Sequence, residues 1–100
     1  MIKHIVCWTL KENAEGCNKK ENLQKVKLAL ENLKDKISGI LFLEVGENFD
    51  PSADAFDISL IIEFKNKESL KIYQEHPEHL NVIRFLRKVR NKRIVVDYEI

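Results

Sequence analysis

The chain has 100 residues, of which 44% are hydrophobic and 33% are charged, so we expect one domain spanning residues 1–100 and exclude disordered, collagen-like and low-complexity classes. Its formal net charge of +1 gives no electrostatic indication of nucleic-acid or anionic-membrane binding. The sequence has no apolar run near the ~20 residues of a membrane span, no signal-peptide pattern and too few cysteines for a disulfide framework, so we expect a reduced, cytoplasmic protein.

The first part of the chain, up to Gly39, predicts a strand, a loop and a helix. Residues 2–10 alternate, with Ile2, His4, Val6, Trp8 and Leu10 sharing one face, which is typical of a strand. Residues 11–17 are predicted to form a polar loop. Asn18 precedes Glu21 by three residues, a capping-box variant that predicts a helix start. An apolar stripe extends this helix to about Lys36, where Ser38-Gly39 ends it; the stripe comprises Leu23, Val26, Leu30, Leu33 and Ile37.

The rest of the chain predicts three more strands and two helices. Residues 40–47 form a predicted strand, residues 48–55 a turn region, and residues 56–65 a strand whose core face carries Phe56, Ile58, Leu60, Ile62 and Phe64. Asn66 is placed to cap a short helix over residues 67–75. Because Pro77 disfavours helix in the residue before it and suits a first helical position, a new helix is expected to begin there; its core face is predicted to carry Leu80, Ile83, Phe85, Leu86 and Val89. The last predicted strand covers residues 93–100.

This element order predicts an α+β, ferredoxin-like (split βαβ) fold, with helices on one side of a four-stranded antiparallel sheet. The other face of the sheet is expected to be partly apolar: we assign Ile5, Cys7, Ile61 and Val95 to it, beside the polar Thr9, Ser59 and Asp97. Scattered apolar surface residues are one interpretation. We favour the alternative, in which this face packs against a second copy of the chain.

Several short motifs, in order, resemble the stress-responsive dimeric α/β-barrel (Dabb) family. They are Lys3-His4-Ile5-Val6, the run from Glu44 to Asn48, and Val96-Asp97-Tyr98. The most specific is the run from Tyr73 to His79, which matches the family pattern Y-x-x-H-P-x-H. The resemblance implies a homodimer whose two sheets form a barrel, and a pocket between the sheet and the helices of each protomer. It therefore implies a Dabb protein with an unassigned small-molecule ligand.

An enzyme is the alternative that the same resemblance raises. One plant member, olivetolic acid cyclase, closes a polyketide ring with a first-strand histidine and the second histidine of its H-P-x-H run. Those residues correspond to His4 and His79 here, and a pocket tyrosine of that enzyme corresponds to Tyr73. The residues between Lys19 and Lys36 include no aromatic side chain, unlike the first helix of that enzyme. A third class, a structural interaction module, stays open.

The residue chemistry agrees with a site built on two histidines. His79 lies in the first turn of the helix beginning at Pro77, where the helix dipole disfavours imidazolium, so its neutral ring can act as a general base. His4 is in phase with Trp8 on the helix-facing side, and its alternative is a core histidine with one hydrogen bond. We predict His4 and His79 as catalytic candidates, and Tyr73 and Trp8 as ligand-binding candidates. The alternative for Tyr73 is a half-buried aromatic with its hydroxyl in water.

Two further clusters are interpreted as structural. His76, His79, His4 and Cys7 do not match zinc-ligand spacing, so we expect no metal and no cofactor. The basic cluster comprises Arg84, Arg87, Lys88, Arg90, Lys92 and Arg93. It could bind phosphate or RNA, but we interpret it as the solvated face of a helix. The expected partners are therefore a second copy of the chain and a small molecule, without nucleic acid or membrane.

Overall fold

Three helices and a four-stranded antiparallel sheet form the fold of the computed structural model, which describes residues 1–100. In chain order the elements are β1 (Ile2–Leu10), β2 (Asn13–Ala14), β3 (Cys17–Asn18), α1 (Lys19–Lys36), β4 (Phe42–Glu47), β5 (Ile58–Phe64), α2 (Lys67–Glu75), α3 (Pro77–Val89) and β6 (Arg90–Glu99). The main sheet has the order β4-β5-β1-β6. This confirms the predicted ferredoxin-like α+β fold. No helix is long and apolar enough to cross a membrane.

Local capping interactions set the helix starts at the predicted residues. The Asn18 side chain accepts a hydrogen bond from the Glu21 backbone N–H at 2.9 Å, and the Glu21 carboxylate accepts one from the Asn18 N–H at 3.0 Å. Asn66 caps α2 in the same way, by accepting from the Ser69 N–H at 2.9 Å. His76 caps α3, because its Nδ1 accepts from the Glu78 N–H at 3.1 Å. His76 therefore has a structural role as the N-cap that precedes Pro77.

A single core joins the sheet to the helices. It contains 15 buried hydrophobic residues, drawn from alternate positions of β1 and β5 and from the apolar stripes of the helices. Only two buried residues are polar, His4 and Asn22. The Asn22 amide donates to the Ala14 carbonyl at 3.0 Å, which fixes the β2–β3 hairpin against α1.

The observed elements differ from prediction in the hairpin and in the starts of three strands. Residues 11–17, predicted as a loop, contribute to the β2–β3 hairpin, whose turn places Glu15 and Gly16 at positive φ. The strands β4 and β5 each begin two residues later than predicted, at Phe42 and Ile58. β6 begins at Arg90, three residues earlier than predicted. Leu80, predicted to face the core, is 47% exposed.

Two residues of β6, Val95 and Asp97, lie on the opposite sheet face from the one predicted. Directly opposed residues of antiparallel strands share a face, and Val6 lies opposite Val95 while His4 lies opposite Asp97. Val95 and Asp97 therefore lie on the helix-facing side. The free face of β6 instead presents Ile94, Val96 and Tyr98, which are opposite Cys7, Ile5 and Lys3. The run Ile94-Val95-Val96 is apolar at both parities, so its pattern could not assign the face.

A β-bulge near the start of β6 also changes which arginines face the helices. Trp8 lies opposite Arg93 and Leu10 opposite Arg90, so two steps along β1 correspond to three along β6. The extra residue is accommodated where the Lys92 N–H donates to the Thr9 hydroxyl at 2.9 Å. As a result, Arg90 and Arg93 lie on the same side of the sheet as Trp8, although an odd number of positions separates them.

Candidate functional site

A pocket of about 310 Å³ lies between α3 and the paired strands β1 and β6. We call it the arginine pocket, after the three arginines in its wall. The apolar part of the wall consists of Trp8, Leu80, Ile83 and Leu86. The polar part consists of Gln74, His79, Arg87, Arg90 and Arg93. Two of the four predicted site residues, Trp8 and His79, therefore share one cavity.

His79 lies in the first turn of α3, where a backbone carbonyl orients its ring. Its Nδ1 lies 3.1 Å from the Gln74 carbonyl oxygen. Since a carbonyl only accepts, Nδ1 carries the hydrogen and Nε2 is left with the basic lone pair. Burial lowers the pKa of His79 below its usual value; the Gln74 hydrogen bond opposes this shift, and His4, Arg93 and His76 add smaller lowering contributions. The direction agrees with the sequence expectation, but burial is the main cause rather than the helix dipole.

Tyr73 lies behind the pocket rather than in its wall. It is 1% exposed, and its ring packs at centroid distances of 4.4 Å from His79 and 5.9 Å from His4. Burial also raises the pKa of its hydroxyl well above the usual value. Tyr73 thus connects the two histidines through ring contacts, but in this protomer it has no face open to the pocket.

His4 is paired with a carboxylate. Its ring is 3% exposed, and Nδ1 is in direct contact with Oδ1 of Asp97, the residue opposite it on β6. An ionised carboxylate only accepts, so His4 Nδ1 carries the hydrogen and Nε2 is free to accept a proton. Asp97 in turn lines a second cavity, of about 400 Å³, with Lys67 among its neighbours.

The structure thus brings three of the predicted residues together, but only one of the three lines the arginine pocket. His4, Tyr73 and His79 form a continuous row of rings in the interior. Of these rings, only His79 lines the arginine pocket. His4 lines neither cavity, but Asp97, which contacts His4, lines the second cavity. The interior arrangement suits proton transfer between a histidine–carboxylate pair and a second imidazole, whereas the arginine pocket suits binding.

Sequence reasoning missed Asp97 as a site residue. It was assigned to the opposite sheet face, although it lay within the Val96-Asp97-Tyr98 motif. The cross-strand register of β1 and β6 would have found it, because only that register places Asp97 beside His4.

Three residues of the basic cluster, Arg87, Arg90 and Arg93, line the pocket. Arg87 and Arg93 are exposed, which agrees with a solvated surface, and Arg90 is half-buried. Arg90 and Arg93 belong to β6, so helical periodicity does not apply to them. By contrast, Arg84 bonds to Asn81 on the same helix at 3.0 Å, and Lys88 lies 3.9 Å from Glu15.

The histidines and cysteines do not assemble into a metal centre. No group of three or more His, Cys, Asp and Glu side chains could hold a metal ion. Cys7 and Cys17 are both free thiols. Burial raises the pKa of Cys7, which lowers its reactivity at neutral pH.

Comparison with known proteins finds a family model and solved structures that match nearly the whole chain. The sequence model of Dabb, described as the stress responsive A/B barrel domain, matches residues 2–100. A comparison with curated proteins finds no match. A dimeric protein of unknown function from Bacteroides fragilis, with a ferredoxin-like fold, is 36% identical, with a TM-score of 0.83 and coverage of 99% of this chain and 95% of that one.

Two more distant structures share the fold. A dimeric ferredoxin-like protein of unknown function from Thermobifida fusca is 18% identical, with a TM-score of 0.84 and coverage of 99% of this chain and 90% of that one. A hydroxynitrile lyase from Passiflora edulis is also 18% identical, with a TM-score of 0.80 and coverage of 97% and 90%. At these identities the likeness concerns the fold alone.

Proposed function

The chain belongs to the stress responsive A/B barrel domain family, and from this premise we propose that it is a homodimer that binds a small organic molecule in one pocket per protomer. The observation that carries the proposal is the arginine pocket, which joins an apolar wall to a few polar groups. Ligand sites typically have this composition and begin at volumes of roughly 300 Å³. The pocket, at about 310 Å³, would hold a compact ligand.

The homodimer is supported by the free face of the sheet. Along β6 this face exposes Ile94, Val96 and Tyr98, with exposed fractions between 41% and 55%. Ile5 and Ile61 pair with each other in the middle of the same face. An apolar face of this kind is costly in water and is commonly covered by a partner. The relatives from Bacteroides fragilis and Thermobifida fusca are both described as dimeric, which supports a second copy as that partner.

A ligand screen by thermal shift tests the binding proposal, because a ligand that binds only the native state raises its stability. Compounds that raise the melting temperature would then be tested against the Ile83→Trp variant, which fills the pocket. The Ile72→Trp variant is the matched control, since Ile72 is 54% exposed on α2 and lies outside the pocket. We expect Ile83→Trp alone to remove the ligand-induced shift. A library without any stabilising compound would contradict the proposal.

A proton-transfer enzyme is the second candidate, and the His4–Asp97 contact favours it. Asp97 holds His4 with Nε2 as the basic atom, as in other histidine–carboxylate pairs that act as general bases. Such a base removes a proton next to a carbonyl and becomes an imidazolium, which returns the proton to the carbon of the enolate; His79, whose Nε2 also carries a lone pair, can accept a proton in the same way. His4 lies outside the pocket wall, so this candidate requires the Tyr73 layer to open when substrate binds.

Proton exchange provides the test of this candidate. In heavy water, a catalyst of this kind speeds deuterium incorporation into the methyl group of acetophenone, which proton NMR follows directly. We expect His4→Gln and His79→Gln each to lower that rate by at least about tenfold, since general acid–base groups contribute ~10²–10⁴-fold. Lys71→Gln is the control, because Lys71 is exposed on α2 and lines neither cavity. A wild-type rate equal to that of buffer would contradict catalysis of this reaction.

A further inference from the structure

The charged side chains in the wall of the arginine pocket are all basic. Arg87, Arg90 and Arg93 lie in its wall, and no acidic side chain does. None of the ion pairs in the chain involves these three arginines. None of their guanidinium groups donates to another side chain or to a backbone carbonyl either. The pocket therefore concentrates positive charge whose donors have no partner within the protein, and Arg87 and Arg93 are exposed, so these donors are open to a ligand from solvent.

The indole of Trp8 adds a second, independent observation. Trp8 is 2% exposed and forms part of the pocket wall. Its Nε1–H is a buried donor with no hydrogen-bond partner. Buried donors are nearly always satisfied, and the 2% exposure of Trp8 keeps this N–H out of contact with solvent. The arginines and the indole act only as donors, so the ligand group that suits this wall is an acceptor.

The apolar part of the pocket wall indicates the chemistry of the rest of the ligand. Leu80 and Ile83 on α3 line the same pocket as Trp8, and Leu80 is 47% exposed. Apolar side chains left open in this way would be covered by an apolar part of the ligand.

We propose that the arginine pocket selects a small amphipathic anion, whose carboxylate or phosphate group binds the arginines and whose apolar part packs on Trp8, Leu80 and Ile83. The inference rests on the proposed binding function and specifies its ligand class. Arginine suits both head groups, because its planar fork donates two parallel hydrogen bonds to either.

Trp8 makes the test direct, because it is the only tryptophan in the chain. Its fluorescence would be followed while the intact protein is titrated with octanoate, octyl phosphate, octanol and inorganic phosphate, below the micelle concentration of each amphiphile. We expect octanoate or octyl phosphate to bind about tenfold or more tightly than octanol, since hydrogen bonds to charged groups are the stronger kind. The tighter of the two identifies the head group. Inorganic phosphate should bind more weakly than octyl phosphate.

Matched variants attribute the preference to the pocket. We expect Arg90→Gln and Arg93→Gln each to weaken binding of the preferred anion by about tenfold and to leave octanol binding unchanged. Arg84→Gln is the control, because Arg84 is exposed on α3 outside the pocket. A circular dichroism spectrum identical to wild type would show that each variant is folded.

The possible failures are distinguishable. Octanol binding as tightly as octanoate and octyl phosphate, or arginine variants that retain the anion preference, would overturn the inference while leaving a binding protein. Binding of a short single-stranded RNA without binding of either amphiphilic anion would also overturn it, in favour of the nucleic-acid alternative. The absence of any response, together with a screen without stabilising compounds, would overturn the proposed function and the inference with it.

Discussion

His4 and Asp97 are in direct side-chain contact across the neighbouring strands β1 and β6, from opposite ends of the chain. The histidine is almost completely buried, whereas the Asp97 side chain is 37% exposed. The contact therefore links the buried His4 ring to Asp97, which lines the second cavity. It also fixes the ring orientation of the one histidine that lies in the core.

Removal of the Asp97 carboxylate should destabilise the protein, because it leaves the buried His4 Nδ1–H without an acceptor. We expect Asp97→Ala to lower the free energy of unfolding by about 1–3 kcal/mol. The Asp54→Ala control, in an exposed turn, should change it by less than about 0.5 kcal/mol. Urea unfolding at one protein concentration measures both. Equal stabilities for the two variants would show that the His4–Asp97 contact contributes nothing to the fold.

Acidification should destabilise the protein partly through His79. Its pKa in the folded state lies below its usual value of 6.5, so the unfolded chain binds protons first as the pH falls. The stability contribution is fully present above about pH 6.5 and is lost as the pH falls through the lower, folded-state pKa. We expect His79→Gln to lose less stability than wild type between pH 7.5 and 5. A ring titration by NMR with a midpoint at or above 6.5 would contradict this prediction.

The helix starts and the β1 and β5 faces could be predicted from sequence because their determinants are local. The Asn18–Glu21 pair, Asn66 and Pro77 each act within a few residues of the helix start that they set. Strict alternation in β1 and β5 likewise assigns a core face without knowledge of the neighbouring strand. Both local patterns agree with the packing of the core, so the folded structure keeps the elements that they predict.

The β6 face and part of the site could not be predicted, because they depend on register. The bulge that places Arg90 and Arg93 beside Trp8 is a property of the β1–β6 pair and leaves no periodic signal in either strand. The Asp97 contact with His4 follows from the same register. The histidines and Tyr73 were identified only through the resemblance to the family, since no local pattern brings residues so far apart in sequence together.

The core on the sheet-facing side of α1 should be sensitive to truncation. Leu30 is 1% exposed, whereas Leu28, on the same helix, is 61% exposed. We expect Leu30→Ala to lower the free energy of unfolding by about 2–5 kcal/mol, since it removes buried area and leaves a cavity. Leu28→Ala should cost less than about 0.5 kcal/mol, because alanine also favours helix. Denaturant unfolding distinguishes the two, and similar costs would contradict the assigned helix face.

A charge on the free sheet face should separate the proposed dimer. Ile61 lies opposite Ile5 at the centre of that face, where a partner sheet would bury it, and an unpaired charge in an apolar interface is costly. We expect wild-type protein to sediment at about twice the chain mass at micromolar concentration, and Ile61→Asp to sediment as a monomer. Val96→Asp, on the exposed edge strand, should also sediment as a monomer. Ile72→Asp, on α2, is the matched control and should remain a dimer. A wild-type monomer, or dimers for both sheet variants with native circular dichroism, would contradict pairing through this face.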